Sequence, residues 1–159
     1  QALGQYLGAG RRFDILGEAN GVTVIDDYGH HPTEIKATLE AARTRYPDRR
    51  IWAVWQPHTF SRIQALMNEF VQSFTAADHV LVTEVYAARE SDPDFSAAQV
   101  VEKIQQPAAN FCPNFRDAIA LLNAHLVPGD VLIVLSAGDA DQISAAVLAE
   151  MRKKEQAHG

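Results

Sequence analysis

The sequence is poor in cysteine, and it has neither a long apolar run nor an excess of basic residues. Its one cysteine, Cys112, excludes an internal disulfide and suits a reducing compartment. The apolar runs are short, such as residues 131–135, so we expect no insertion into a membrane. Asp and Glu outnumber Lys and Arg by 20 to 14, and the net charge of −6 argues against a nucleic-acid partner.

Two common nucleotide-binding motifs are also missing. The chain has no GxxxxGKS or GxxxxGKT segment, which excludes a phosphate loop of the usual ATPase kind. It has no GxGxxG after a strand either, because Gly8-Ala9-Gly10 precedes the first predicted strand. The sequence begins at Gln1, without an initiator Met or a signal-peptide pattern. We therefore expect it to be a piece of a longer protein.

The composition that remains is that of one globular domain. The chain has 159 residues, of which 47% are apolar and 21% are charged. This length suffices for one packed core, and these fractions argue against a disordered chain or a coiled coil. We predict a single domain over residues 1–159, with flexible ends at 1–9 and 153–159.

Strand and helix patterns alternate along the chain. Residues 12–19 and 21–27, joined by Asn20-Gly21, predict a hairpin. Apolar periodicity then predicts strands at 51–55, 79–83, 109–111 and 130–135, and helices at 33–45, 61–76, 96–104, 115–126 and 141–153. This order predicts an α/β three-layer sandwich, in which helices cover both faces of a mainly parallel sheet and the hairpin adds an antiparallel edge strand.

Polar segments follow the predicted strands. In parallel sheets, ligands bind beyond the carboxyl ends of the strands. The segments in question are 26–34, 56–62, 84–90 and 136–139, and they contain three of the six histidines. We therefore expect a binding site at this edge of the sheet.

Each of these features also has a purely structural interpretation. Asp26-Asp27 could equally cap the next helix or fill a turn. Adjacent histidines such as His30-His31 usually point apart, and without a third ligand a metal site is disfavoured. Ser61 with Gln64 resembles a capping box, which explains that serine without any function.

The remaining candidates are open to the same two interpretations. His58 and Arg62 lie four residues apart, so a helix start could align them, although an arginine taken alone is more often a surface residue. The Ala137-Gly138-Asp139 turn resembles an anion-binding nest, but glycine there also suits a simple turn. Cys112 is predicted to be a core thiol. The long polar loop at 84–95 is either functional or a plain surface excursion.

Five motifs carry a specific resemblance to a known family. The most specific is Asp-Asp-Tyr-Gly-His-His-Pro-Thr-Glu at 26–34. The others are Gly-Arg-Arg-Phe-Asp at 10–14, Gln-Pro-His-Thr-Phe-Ser-Arg at 56–62, Val-Tyr-Ala-Ala-Arg-Glu at 85–90 and Ala-Gly-Asp at 137–139. In this order, over about residues 10–148, they resemble the C-terminal domain of the Mur ligases, in particular the alanine-adding members.

The resemblance implies the Rossmann-like third domain of a bacterial cytoplasmic ligase of peptidoglycan synthesis. In that family ATP phosphorylates the carboxylate of UDP-N-acetylmuramate, and the amino group of L-alanine attacks the acyl phosphate. The phosphate loop and the magnesium ligands belong to a central domain that this chain lacks. The isolated chain is therefore predicted to be inactive, although the whole protein would use ATP and magnesium.

The resemblance also assigns residues. Arg12 would face the phosphates of ATP, since a guanidinium binds such anions bidentately, and Asp27 would face the ribose. The amino-acid pocket would be shaped by four residues: Tyr28, His30, His58 and Arg62. Candidates for a supporting role are His31, Thr59, Arg89 and Asp139. No residue is assigned to a metal.

Two positions depart from the family pattern. Thr59 stands where some members carry a second arginine, so more of the carboxylate binding is expected to fall on Arg62. Ser136 occupies a position that is often glycine, which would stiffen the last loop.

Three other functions are compatible with part of the sequence. A sister ligase that attaches a recycled tripeptide shares His-His-Pro-Thr but is associated with Phe-Ala at the position of Tyr28-Gly29, and it stays as the alternative. A phosphoacceptor receiver domain would need an Asp and a Lys near the later strand ends, where this chain has Gln56 and Ser136. A non-enzymatic nucleotide-binding module would leave residues 56–62 unexplained.

Overall fold

Strands and helices alternate through residues 12–158, the part of the chain that the structure, a computed structural model, describes. The strands are β1 Asp14–Ala19, β2 Val22–Asp27, β3 Ile51–Trp55, β4 His79–Val82, β5 Ala109–Phe111 and β6 Val131–Leu135. The helices are α1 Pro32–Arg45, α2 Phe60–Ala65, α3 Met67–Val71, α4 Ala97–Val101, α5 Phe115–His125 and α6 Asp141–His158. The predicted alternation is confirmed, while the expected flexible end at 1–9 lies outside the described residues.

The strands form one sheet in the order β1-β2-β6-β3-β4-β5, in which only β1 runs antiparallel to its neighbour. The register brings the last residues of the central strands level, since Leu135 lies beside both Asp27 and Trp55, and Trp55 lies beside Val82. The loops after β2, β6, β3 and β4 therefore leave the sheet at one height, as the predicted parallel sheet requires.

Two cores lie on opposite faces of the sheet. In β3 the alternation is strict, because Ala53 and Trp55 belong to one core and Trp52 and Val54 to the other. Helices α1 to α4 cover the first face and α5 and α6 cover the second. Cys112 is buried in the second core, as predicted. The three-layer α/β sandwich is thus confirmed.

Several helix ends differ from the sequence predictions. The predicted helix 61–76 is two short helices that break at Leu66 (φ −117°), and regular helix stops at Val71. Hydrogen bonding continues through the break, from Phe70 N to Leu66 O, so the apolar residues stay on one face. Helix α4 is likewise shorter than the predicted 96–104.

The last helix is longer than predicted, since α6 continues past residue 153 to His158. Lys154 Nζ donates to Asn123 O at 2.8 Å, which ties this turn to α5. The flexibility expected for 153–159 stays a prediction. Within residues 12–158, no helix is both long enough and apolar enough to cross a bilayer.

At the amino ends of the central strands, Asp130 lies directly before β6 and contacts the start of β3 and the loop after α5. Its carboxylate is 2% exposed and accepts two hydrogen bonds from Arg50, at 2.9 and 2.8 Å. It also accepts from Trp52 Nε1 and Val127 N. Burial raises the pKa of Asp130, but these donors outweigh burial and hold the pKa below its ordinary value of 3.8.

Candidate functional site

The end of β2 is organised around the buried carboxylate of Asp27, which is 3% exposed. Its Oδ2 accepts from Phe13 N at 2.8 Å, and its Oδ1 accepts from Gly29 N at 2.7 Å. A Cβ on Gly29 would lie 2.8 Å from that Oδ1, so the turn needs glycine there. Burial raises the pKa of Asp27 more than these two bonds lower it. The carboxylate thus joins the start of β1 to the turn after β2, and its contact with ribose stays a prediction.

Helix α1 begins with a capping box made by His31 and Glu34. The His31 side chain accepts from Thr33 N, and Glu34 Oε1 accepts from the backbone N–H groups of His30 and His31. The suggestion that Asp26-Asp27 caps this helix is therefore wrong. Asp26 instead accepts a hydrogen bond from Ser144 Oγ of α6.

Arg12 lies beside this helix start, where its Nη2 contacts Glu34 Oε2 at 3.1 Å. Burial raises the pKa of Glu34, but the hydrogen bonds from His30, Arg12 and His31 outweigh it and lower the pKa. The Arg12 side chain is 41% exposed, so its guanidinium remains accessible at this edge of the sheet. Its contact with ATP phosphates stays a prediction.

The four residues predicted to shape the amino-acid pocket lie together. The Tyr28 ring meets His30 edge-on with centroids 5.3 Å apart, and His30 lies 5.8 Å from His58. Arg62 Nη1 lies 3.3 Å from His58 Nδ1, so the helix start aligns these two residues as expected. Their role in binding an amino acid stays a prediction.

The contact with Arg62 determines the protonation of His58. A guanidinium can only donate, so Nδ1 must accept and the imidazole is neutral with its proton on Nε2. Burial lowers the pKa of His58 below 6.5, and the neighbouring His30 and Arg62 lower the pKa further, while the negative charge of Glu90 opposes them. The site therefore carries the permanent positive charge of Arg62 beside an uncharged imidazole.

The loop after β6 is held by Gln56 and Ser136. Gln56 Oε1 accepts from Ser136 Oγ at 2.6 Å and from the backbone of Asp139 and Ala140, and its Nε2 donates to Asp139 Oδ1 at 2.8 Å. Ser136 Oγ also accepts from Gly138 N. These side chains fill the turn, so the structure favours simple turn chemistry over an anion nest. These contacts also account for serine at position 136. They bind Asp139, a candidate for a supporting role, to Gln56.

Two functional candidates that sequence reasoning missed lie on the loop after β4. The Tyr86 ring stacks on His58, with centroids 5.4 Å apart and planes at 10°, and a Cβ on Gly138 would lie 2.7 Å from it. The Glu90 carboxylate accepts from both Ser61 N and Ser61 Oγ. The motif at 85–90 contained both residues, but nothing in it indicated their partners.

Ser61 and Gln64 do not form the suggested capping box. Thr59 is the residue that precedes α2, and Ser61 binds Glu90 while Gln64 Nε2 donates to Asp92 Oδ2. Thr59 itself has φ +65° and donates its N–H to Tyr86 O. Arg89 is exposed on the neighbouring loop. The supporting roles of His31, Thr59, Arg89 and Asp139 stay predictions.

Metal ligation has no support in this part of the chain. Among residues 12–158, no group of three or more His, Cys, Asp and Glu side chains is arranged to hold a metal ion. The histidines at this edge contact rings, a guanidinium and backbone groups instead.

Comparison with known proteins shows the family to which this fold belongs. The family model described as "Mur ligase, glutamate ligase domain" matches residues 11–138. The chain belongs to the Mur ligase family. The match includes four of the five sequence motifs in full or nearly so, and it ends within the turn at 137–139.

The Mur ligase relatives are much longer than this chain. The UDP-N-acetylmuramate–L-alanine ligase of Alkaliphilus metalliredigens (strain QYMF) is 46% identical over 92% of this chain and 32% of that protein. The enzyme of the same name from Roseiflexus castenholzii is 47% identical over 92% of this chain and 31% of that protein. The chain thus spans about a third of the length of the curated relatives that it matches.

A solved Mur ligase structure of matching size is a crystallised domain from Haemophilus ducreyi. Its parent protein is assigned as a UDP-N-acetylmuramate:L-alanyl-gamma-D-glutamyl-meso-diaminopimelate ligase. The two share a TM-score of 0.69 and 26% identity over 88% of this chain and 99% of that one. A domain of this kind therefore folds when it is separated from the rest of its ligase.

Proposed function

We propose that this chain is the domain of a UDP-N-acetylmuramate–L-alanine ligase that binds the incoming amino acid. The observation that carries the proposal is the pairing of Arg62 with a neutral His58, beside Tyr28 and His30. These residues lie at the edge of the sheet where the carboxyl ends of the central strands are level. Relatives at 46% and 47% identity bear that name. The proposed setting is peptidoglycan precursor synthesis in the bacterial cytoplasm.

In the proposed reaction, Arg62 binds the carboxylate of L-alanine through its planar fork. His58 holds Arg62 through Nδ1 and adds no positive charge, so it does not repel the ammonium group of the amino acid as it binds. The rings of Tyr28 and His30 would border the small methyl side chain. The free amino group would then attack the carbonyl carbon of the acyl phosphate of UDP-N-acetylmuramate. The C–N bond forms as the C–O bond to phosphate breaks, and the departing phosphate takes up the proton of the amine.

The proposed contacts to ATP involve Arg12 and Asp27. Arg12 is half exposed and can reach phosphate oxygens, with Glu34 fixing its position. Asp27 would require the ribose to approach a carboxylate that already accepts two backbone bonds. Among residues 12–158, no group of three or more His, Cys, Asp and Glu side chains could hold a metal ion, and the proposed roles of this chain are limited to contacts with the amino acid and ATP.

The test is a substrate comparison with the natural protein that contains this chain. Purified protein would receive ATP, magnesium and UDP-N-acetylmuramate, together with either L-alanine or L-alanyl-gamma-D-glutamyl-meso-diaminopimelate. We expect phosphate release to depend on L-alanine. Release that depends on the tripeptide would support the sister ligase, the second candidate favoured by the Haemophilus ducreyi domain. Release with neither would leave a nucleotide-binding module.

A further inference from the structure

The helix that carries Arg62 begins without a cap from its own chain segment. Thr59 precedes α2 in a left-handed conformation, and its side chain makes no capping bond. The acceptor is supplied by Glu90, which is 29 residues from its partner Ser61. Glu90 Oε1 accepts from Ser61 N at 2.9 Å, and Oε2 accepts from Ser61 Oγ. One carboxylate thus binds two donors of the residue directly before Arg62.

Backbone contacts bring this carboxylate to the helix start. Tyr86 N donates to Pro57 O at 2.7 Å, and Thr59 N donates to Tyr86 O at 2.9 Å. The loop then turns through Ala88, which has φ +57°, and Glu90 N donates to Ala87 O. The turn directs Glu90 back toward α2, so the contact with Ser61 follows from the path of the loop.

The charges are arranged so that Glu90 does not occupy the guanidinium. The hydroxyl and backbone bonds from Ser61, together with the charge of Arg62, hold the pKa of Glu90 below 4.5, so Glu90 is ionised at neutral pH. Yet among the ion pairs within 4.0 Å in the described residues, none joins Glu90 to Arg62. Arg62 instead donates to His58. The Ser61 donors therefore hold the negative group near Arg62 but away from its fork.

We infer that Glu90 is a positioning residue of the amino-acid pocket: through Ser61 it fixes the start of α2, so that Arg62, held by His58, presents a guanidinium that no carboxylate of the described residues occupies to the carboxylate of the substrate. The inference rests on the proposed function for the identity of that substrate. The contact between Glu90 and Ser61 does not depend on it.

The first test is steady-state kinetics in the natural protein. Glu90→Ala is expected to raise the KM for L-alanine about tenfold and to leave the KM for ATP and UDP-N-acetylmuramate within about twofold. Glu90→Gln should restore the alanine KM to within about threefold of the natural value, because its amide oxygen can still accept the Ser61 N–H.

Asp92→Ala is the matched control. Asp92 joins the same loop to the same helix, because it accepts from Gln64 Nε2 at 2.9 Å, but Gln64 lies three residues after Ser61 and Asp92 does not contact Ser61. Its alanine KM should stay within about twofold of the natural value. An equal rise in Asp92→Ala and Glu90→Ala would mean general loosening of the loop and would overturn the inference. An unchanged Glu90→Ala enzyme, or a Glu90→Gln enzyme as impaired as Glu90→Ala, would overturn it as well.

The second test separates this inference from the proposed function. In the isolated chain, NMR titration of the His58 ring should give a lower pKa in Glu90→Gln than in the natural sequence, because the negative charge of Glu90 raises that pKa. The Haemophilus ducreyi domain supports the use of the isolated chain. An unchanged His58 pKa would place Glu90 elsewhere and overturn the inference. The expected shift in a protein that does not use L-alanine would leave the arrangement supported and reject the proposed function.

Discussion

A single hydrogen bond, from Arg62 to His58, determines where the proton of that imidazole lies. Nδ1 is used as the acceptor at 3.3 Å, so Nε2 carries the proton and the ring is neutral. Protonation of Nδ1 would place a second donor opposite the guanidinium. The folded state therefore favours neutral His58: burial lowers the pKa of this imidazole most, and the neighbouring Arg62 lowers the pKa further.

The first prediction is that Arg62→Gln raises the pKa of His58. Burial lowers the pKa of this imidazole, and the variant removes the positive charge of Arg62, which lowers the pKa further. NMR titration of the isolated chain should place the natural midpoint below 6.5 and the variant midpoint higher. A matched control is Arg116→Gln, which removes an exposed guanidinium at the start of α5 and should leave the midpoint of His58 unchanged.

The same shift has a consequence for stability. A histidine whose folded pKa lies below its unfolded value binds protons more readily when the chain unfolds. Above pH 6.5, His58 is neutral in both the folded and the unfolded state and does not affect the free energy of unfolding. That free energy falls as the pH drops from 6.5 toward the folded pKa. A natural midpoint at or above 6.5 would contradict the contact with Arg62.

The second prediction is that Arg62→Lys weakens alanine binding in the natural protein. Lysine keeps the charge but lacks the planar fork, and Thr59 leaves no second arginine to compensate. Charge-assisted hydrogen bonds are worth about 1.5–3 kcal/mol, so the KM for L-alanine should rise roughly ten- to a hundredfold.

The KM values for ATP and UDP-N-acetylmuramate should change little in the Arg62→Lys enzyme. A solvated arginine would leave all three constants unchanged. An arginine that contacts another domain would lower turnover and spare the alanine KM. Measuring the three constants with kcat separates these cases.

At its first turn, α1 depends on one carboxylate for both its capping and its contact with Arg12. Glu34 accepts from His30 N and His31 N with one oxygen and from Arg12 with the other. The helix start and the candidate phosphate contact therefore share a support. This contact places Arg12 at the edge of the sheet where the candidate site lies.

The third prediction is that Glu34→Ala destabilises the isolated chain. Loss of half of the capping box should cost about 1 kcal/mol. For a domain of this length, that loss should lower the Tm by about 2–4 °C in thermal unfolding. Glu40→Ala, an exposed glutamate in the middle of the same helix, is the control and should unfold near the natural temperature. Equal Tm values for Glu34→Ala and Glu40→Ala would mean that the capping box adds nothing.

For the molecule as a whole, the two edges of the sheet have different roles. The carboxyl ends gather the candidate site, whereas the opposite edge is joined by Asp130, which binds Arg50, Trp52 and Val127. That junction ties β6 to β3 beneath the site. We expect changes there to alter stability without altering substrate preference.

The fourth prediction is that Asp130→Asn lowers stability by about 2 kcal/mol, through loss of the charge-assisted bonds to Arg50, and lowers the Tm by about 4–8 °C. The folded pKa of Asp130 lies below 3.8, so its contribution is present above the unfolded pKa and is lost as the pH falls through the folded value. Urea unfolding at pH 7 and pH 3 measures this difference. A variant whose stability loss is the same at both pH values would contradict the assignment.

The fifth prediction is that the isolated chain neither hydrolyses ATP nor ligates L-alanine. The sequence has no phosphate loop, and residues 12–158 contain no group of three or more His, Cys, Asp and Glu side chains that could hold a metal ion, so phosphoryl transfer lacks two of its usual parts. Half of a shared site should bind L-alanine and ATP separately with Kd values of roughly millimolar or weaker, about −4 kcal/mol. A phosphate-release assay measures the turnover, and NMR titration measures the two Kd values. Turnover above background, or micromolar alanine binding, would show that the site is complete within this chain.

Local pattern was sufficient for much of the fold. Strands at 51–55 and 109–111 were predicted with the bounds that the structure has, because apolar runs between turn residues pair as strands wherever a sheet forms. The meeting of Tyr28, His30, His58 and Arg62 followed from parallel strands, whose carboxyl ends lie at one edge. Five ordered motifs were enough to indicate the family, which the family match confirmed.

The tertiary structure decided how each polar group is used. Ser61 pairs with Glu90 and not with Gln64, and His31 caps α1 although Asp26 and Asp27 are the better capping residues by type. In each case a partner distant in sequence, or a buried neighbour, competes for the same donor or acceptor. Spacing along the sequence does not show that competition. Each donor meets its acceptor only when the loops after β2, β3, β4 and β6 come together in the folded chain.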